Sequence, residues 1–221
     1  MARIFPGGAV QDRITYDAAP LYPYSHRHTF ACWAFRTTDD ASGIWRLFGD
    51  SAGNNRWLIG AVCRIFIYSN GGVYEGYWSP PSPPLNAWYH IAVTHDTTTV
   101  GTAPTLYINS VAQSLGLTDV WDTPVSTADS ALRFGNGPAG NSGWYGRIQN
   151  AALWSDVLSL AEIQALNRGV SPHRIRTGKL TFHYPMLGTA GEGDWASGRA
   201  GVIVGTTAAP ATIPSGPLIV V

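Results

Sequence analysis

Lysine is almost absent from this 221-residue chain: Lys179 is the only one, and charged residues of all kinds make up 13%. The 14 positive and 14 negative side chains cancel. Without a basic field nothing neutralises a row of phosphates, which excludes nucleic acid as a partner. No apolar run reaches the roughly 18 residues that a membrane-crossing helix needs, so no membrane insertion is expected. The opening residues "MARIFPGGAVQDRITYD" lack the apolar core of a secretory signal, and synthesis in the cytoplasm is the expectation. Cys32 and Cys63 are the only cysteines, each inside an apolar strand-like run. Buried free thiols fit that setting better than a disulfide.

Glutamate is scarce as well. Glu75 stands in "VYEGYW", Glu162 in "LSLAEI" and Glu192 in "GEGDW". Retaining glycoside hydrolysis needs two carboxyl groups about 5 Å apart, which on a strand means acids at alternate positions. None of the three heads such a motif, and the glycines around Glu192 and Asp194 place that pair in a loop. No G-x-S-x-G nucleophile elbow occurs. His26 and His28 form an H-x-H on one strand face, but no third metal ligand accompanies them. The chain is therefore not expected to be an enzyme.

What the sequence has is apolar and turn-forming: 45% hydrophobic residues, 12% aromatics, 25 glycines and 15 prolines. Short strands punctuated by Gly, Pro, Asn and Asp predict an all-β sandwich or barrel. In "HTFACWAFR" (28–36) Thr29, Ala31, Trp33 and Phe35 share one face, while Phe30, Cys32 and Ala34 share the other. "AWYHIAVTHD" (87–96) is apolar on both faces too, so both runs belong mid-structure. Trp33 and Trp88 then read as structural, and His90 as a packed, hydrogen-bonded sheet residue. Asn109 and Ser110 mark a hairpin turn in "TLYINSVAQSLG". One helix interrupts the pattern. Ser159 and Glu162 have the S-x-x-E spacing of a capping box, Leu158 and Ile163 the spacing of a hydrophobic staple, and Gly169 supplies the stop.

Three segments in order carry a resemblance: "TFACWAFR" around Trp33, "WYHIAVTHD" leading to "LYINS", and Gly146, Ile148 and Leu153 followed by Leu158, Ser159, Glu162 and Ile163. Together they resemble the laminin-G-like branch of the concanavalin A-like lectin/glucanase superfamily. That resemblance implies an antiparallel jelly-roll β-sandwich with one short helix covering an edge of the sheets. Residues 1–175 form the sandwich in this reading, and 176–221 supply C-terminal strands and a tail completing or extending the same domain.

The resemblance also implies ligands. Sugar rings stack on exposed aromatics, and Trp78 and Trp121 are the candidates, with Tyr22 and Tyr24 behind them. Relatives hold calcium beside ligand loops, and Asp39, Asp40 and Asp50, with Asn54 and Asn55, offer oxygens for it. The same residues are ordinary turn formers, and no cofactor is the expectation. Similar stand-alone domains occur among bacteriophage structural proteins. The leading expectation is thus a non-catalytic virion decoration protein, made in the host cytoplasm and released by lysis. Its partners would be other virion proteins, copies of itself and cell-surface glycans, with the apolar "PLIVV" end as a docking element. A stand-alone carbohydrate-binding lectin is the alternative, and a glycoside hydrolase the weakest.

Overall fold

A computed structural model describes residues 2–5, 13–16, 27–38, 46–50, 55–58, 64–68, 74–79, 81, 83–96, 98, 102–120, 132–136, 143–186, 193–196, 198 and 201–209. The strands in chain order are β1 (Ala2–Phe5), β2 (Arg13–Tyr16), β3 (Arg27–Arg36), β4 (Arg46–Asp50), β5 (Asn55–Leu58), β6 (Arg64–Tyr68), β7 (Tyr74–Ser79) and β8 (Trp88–Asp96). They continue with β9 (Thr105–Ile108), β10 (Val111–Ala112), β11 (Gly116–Val120), β12 (Leu132–Phe134) and β13 (Gly146–Trp154). Helix α1 (Leu160–Asn167) comes next, then β14 (Leu180–Tyr184), β15 (Val202–Val204) and β16 (Thr207–Ala209).

Two antiparallel sheets result. The first runs β10-β9-β8-β3-β13-β1-β16, with β14 beside the C-terminal half of β13; the second runs β11-β7-β6-β5-β4-β12-β2-β15. This is the jelly-roll sandwich of a concanavalin A-like domain. The core lies between the sheets: Phe30, Cys32 and Ala34 of β3 and Tyr89, Ile91 and Val93 of β8 meet Ile14 of β2 and Phe134 of β12. Phe134 stacks on Phe182, with centroids 5.6 Å apart. Burial pushes the Cys32 thiol up, away from the reactive thiolate. Cys63 lies outside the described residues.

Period-2 alternation gives the first sheet a second apolar row on its outer face. Ala152 of β13, Ala31 of β3 and Ala92 of β8 pair directly across three strands. Three methyl-sized side chains abreast leave a shallow trough, and α1 fills it with Ile163 and Leu166. The helix therefore covers a sheet face, not the sandwich edge expected from the sequence. An edge position would have left the alanine row in water, and only small residues let a helix approach a sheet so closely.

The helix is fastened at both ends. Ser159 Oγ accepts from Glu162 N–H, and Glu162 Oε2 accepts from Ser159 N–H at 2.7 Å. At the other end Gly169, with φ of 88°, lets Gly169 N–H reach Leu166 O and Val170 N–H reach Ala165 O. That is the paired closure of a Schellman turn. Thr29 ties the approach to the sheet: its hydroxyl donates to Asp156 O and accepts from Leu158 N–H. Arg176 then bridges Asp156 and Glu162 at 2.8 and 2.6 Å.

Gly146 explains a further residue of the sequence pattern. Its φ is 148°, and a Cβ there would sit 1.9 Å from the Phe35 carbonyl oxygen. Only glycine allows β13 to begin pairing against β3 at this point. The apolar run 56–69 forms the two separate strands β5 and β6, paired as a hairpin.

Candidate functional site

On the outer face of the first sheet, α1 covers the alanine row, and in the next two rows Trp33, Phe35, Trp88 and Arg147 are half-buried while Gln149 and His90 are buried. The nearer row is Gln149 of β13, Trp33 of β3 and His90 of β8, ending at Asn109 of the β9–β10 turn. The farther row is Arg147, Phe35 and Trp88. Trp33, Phe35 and Trp88 are half-buried, whereas Trp144 and Trp154 are fully buried. Trp33 and Trp88 thus lie on an accessible sheet face, unlike the core placement their apolar neighbours imply. The alternation 29-31-33-35 is outward, and the eight-residue helix is too short to cover all of it.

A one-residue bulge adds a polar group. Register shifts between Gln149 and Ala152, and Asn150 is the extra residue, with φ of 49°. Bulges re-aim side chains. Here Asn150 joins Trp33, His90, Ala31, Trp154, Leu166, Gly169, Val170 and Pro172 around a shallow recess of about 10 Å³, room for one water, between the helix C-terminus and the sheet. Trp154 closes its floor, its indole N–H donating to Ile175 O at 2.8 Å.

Rings and amides are arranged around that recess. The Trp33 and His90 rings meet edge-on at 5.5 Å, and Phe35 and Trp88 lie 5.7 Å apart. The Arg147 guanidinium sits 5.1 Å over the Phe35 ring. Asn109 is pinned by exchange with His90: its Oδ1 accepts from His90 N–H, and its own N–H donates to His90 O. Burial lowers the His90 pKa to about 3, so the ring is neutral at physiological pH. Gln149 Oε1, His90 Nδ1 and Trp88 Nε1 are buried without a hydrogen-bond partner among the described residues. Such groups are costly, about 1–3 kcal/mol each.

The residues singled out in the sequence are distributed differently. Trp78 stands near the end of β7, paired with Ile65 and Leu117. Asp50 ends β4, opposite Leu132. Tyr22, Tyr24, Asp39, Asp40 and Trp121 lie outside the described residues, as do His26, Asn54 and Glu192. Among the described residues no cluster of three or more His, Cys, Asp or Glu has metal-site geometry. His28 is buried with its ring edge-on to His95 at 5.6 Å.

Acid pairs in the described residues serve structure. Asp194 is buried, and its Oδ1 accepts from His183 N–H and Ala196 N–H. Asp156 and Glu162 share Arg176. Burial pushes both pKa values up, but hydrogen bonds from the Val157 N–H and Ser159, with the charges and hydrogen bonds of Arg176, outweigh it and hold them below the ordinary values of 3.8 and 4.5. Acids held ionised this way do not donate protons near neutrality.

The sequence profile described as Laminin_G_3, concanavalin A-like lectin/glucanases superfamily, matches residues 7–164. The chain belongs to this family. No curated protein matches the sequence. Among solved structures, a candidate carbohydrate-binding protein from Bacteroides ovatus is similar at TM-score 0.70 and 16% identity, over 97% of this chain and 61% of that one. A heptameric SAP-like pentraxin from Limulus polyphemus is similar at TM-score 0.58 and 12% identity, over 77% of this chain and 83% of that one. The receptor-binding domain of botulinum neurotoxin C/D mosaic serotype follows at TM-score 0.58 and 14% identity, over 76% of this chain and 42% of that one. These likenesses establish a shared concanavalin A-like fold. This laminin-G-type chain spans 61% of the length of the Bacteroides protein.

Proposed function

We propose that this laminin-G-type domain is a non-catalytic carbohydrate-binding protein, and that it holds saccharide on the outer face beside α1. The observation that carries this reading is the Trp33 row. The half-buried Trp33 indole stands next to half-buried Phe35 and Trp88 on the same face, with the half-buried Asn150 amide beside it and the buried Gln149 and His90 in its own row. Saccharides present C–H faces and hydroxyl edges together, and aromatic rings beside fixed amides match both. The family and the Bacteroides likeness favour the same class of ligand.

A glycan array probed with the wild type, Trp33→Ala, Trp78→Ala and Trp121→Ala tests it. Trp33→Ala is expected to weaken binding about tenfold or more, and to lower the melting temperature while a cooperative unfolding transition remains. Loss only in Trp78→Ala or Trp121→Ala would move the site to those positions. Binding of no glycan by the wild type would remove the reading.

Docking on a larger assembly such as a virion, with synthesis in a host cytoplasm, is the second reading. It is favoured by the edge strand β10, whose Val111 is 63% exposed, and by the apolar segment 217–221. A strictly monomeric protein in sedimentation, also when mixed with its source particle, would count against it.

A further inference from the structure

We propose that the saccharide held on this face is acidic, a hexuronate oligomer whose carboxylate is read by Arg147. The inference rests on the carbohydrate reading and goes beyond it in naming the ligand's charge and direction. Arg147 stands at the outer end of the two rows, half-buried, with its guanidinium held 5.1 Å over the Phe35 ring. No carboxylate among the described residues pairs with it. Its neighbours in the two rows and the recess (Gln149, Asn150, Trp33, His90 and Trp88 among them) include no acid. A guanidinium fixed on a ring has lost much of its rotamer freedom, and its fork matches a carboxylate bidentately.

Geometry gives the ligand a direction. Trp33 and Phe35 are two residues apart on one strand face, so their Cα atoms are spaced by about 7 Å and their rings lie one behind the other along β3. At the inner end the recess meets the C-terminus of α1, whose negative dipole end disfavours an anion. An acidic unit at Arg147 and Phe35, with the next ring over Trp33 toward Asn150 and Gly169, satisfies both ends. A neutral glycan would leave Arg147 without a charged partner in the complex, and a second copy of this chain would have to present an acid there.

Calorimetric titration of the full chain with oligomers of galacturonate, glucuronate and mannuronate, each alongside its methyl ester, tests this in wild type, Arg147→Gln and Trp33→Ala. At least one acid is expected to bind about tenfold or more tightly than its ester, with the preference shrinking as salt rises. Arg147→Gln should bring the acid down to the variant's own affinity for the ester and remove the salt dependence of the difference. Trp33→Ala should weaken both forms. Equal binding of acid and ester, a preference that survives Arg147→Gln, or binding of neutral glycans alone overturns the proposal and leaves carbohydrate binding standing. Saccharide binding that Trp33→Ala does not weaken overturns both.

Discussion

Three histidines packed into the first sheet and beside it set how this protein responds to acid. Burial lowers His90 to about 3 and His95 to about 4, the latter against a hydrogen bond with Thr102 and the charge of Asp96. Burial, with the neighbouring His173, lowers His183 to about 4. In the unfolded chain each titrates near its ordinary 6.5. Between those values the unfolded state binds protons that the fold excludes. Stability is therefore full above pH 6.5 and falls as pH drops toward 4, by at most about 1.4 kcal/mol per pH unit for each histidine. Below that, Asp156 and Glu162 have the same sign: their contribution is present above their unfolded values and is lost as pH falls through their lowered folded ones. Melting temperature against pH should show this decline, and His183→Gln should flatten it. A flat profile between pH 4 and 6.5 would contradict the burial of neutral imidazoles.

At the scale of elements, the alanine row is what gives α1 a seat. Ala31→Leu would place a branched side chain under Ile163 and Leu166, at a cost of about 1–3 kcal/mol from overpacking. Amides of residues 160–167 should then exchange faster, while β13–β3 amides stay protected; equal protection of the helix would show that the trough is not its seat. The helix itself was legible in the sequence because Ser159, Glu162 and Gly169 are local signals that act through backbone atoms a few residues away. Its location was not. That depends on Ala92, Ala31 and Ala152 meeting across three strands, a register no single segment reveals. Trp33 was misplaced for the same reason. The alternation in "TFACWAFR" defines two faces, but what covers each face depends on a helix more than 120 residues later in the chain. The Asn150 bulge carries no sequence signal beyond an asparagine, which tolerates positive φ.

For the whole molecule, the sandwich supplies rigidity and the helix supplies an asymmetry: one sheet face is partly covered. The C-terminal strands span both layers, β15 at the edge of the second sheet and β16 at the edge of the first. That the chain is an all-β sandwich or barrel was readable from composition and turn spacing, with few charges, many glycines and two-faced strands; the jelly-roll arrangement came only with the resemblance of three segments in order. The face proposed to hold saccharide was not, because its residues come from five segments between Trp33 and Gly169.

Saccharide titration followed by two-dimensional NMR of the full chain is the most direct measurement. The Trp33 indole, the Asn109, Gln149 and Asn150 side-chain amides and the backbone of Gly169 should shift together, saturating at one affinity. Shifts confined to the second sheet and the segments around Trp78 and Trp121, with the Trp33 row unmoved, would contradict a binding face beside α1.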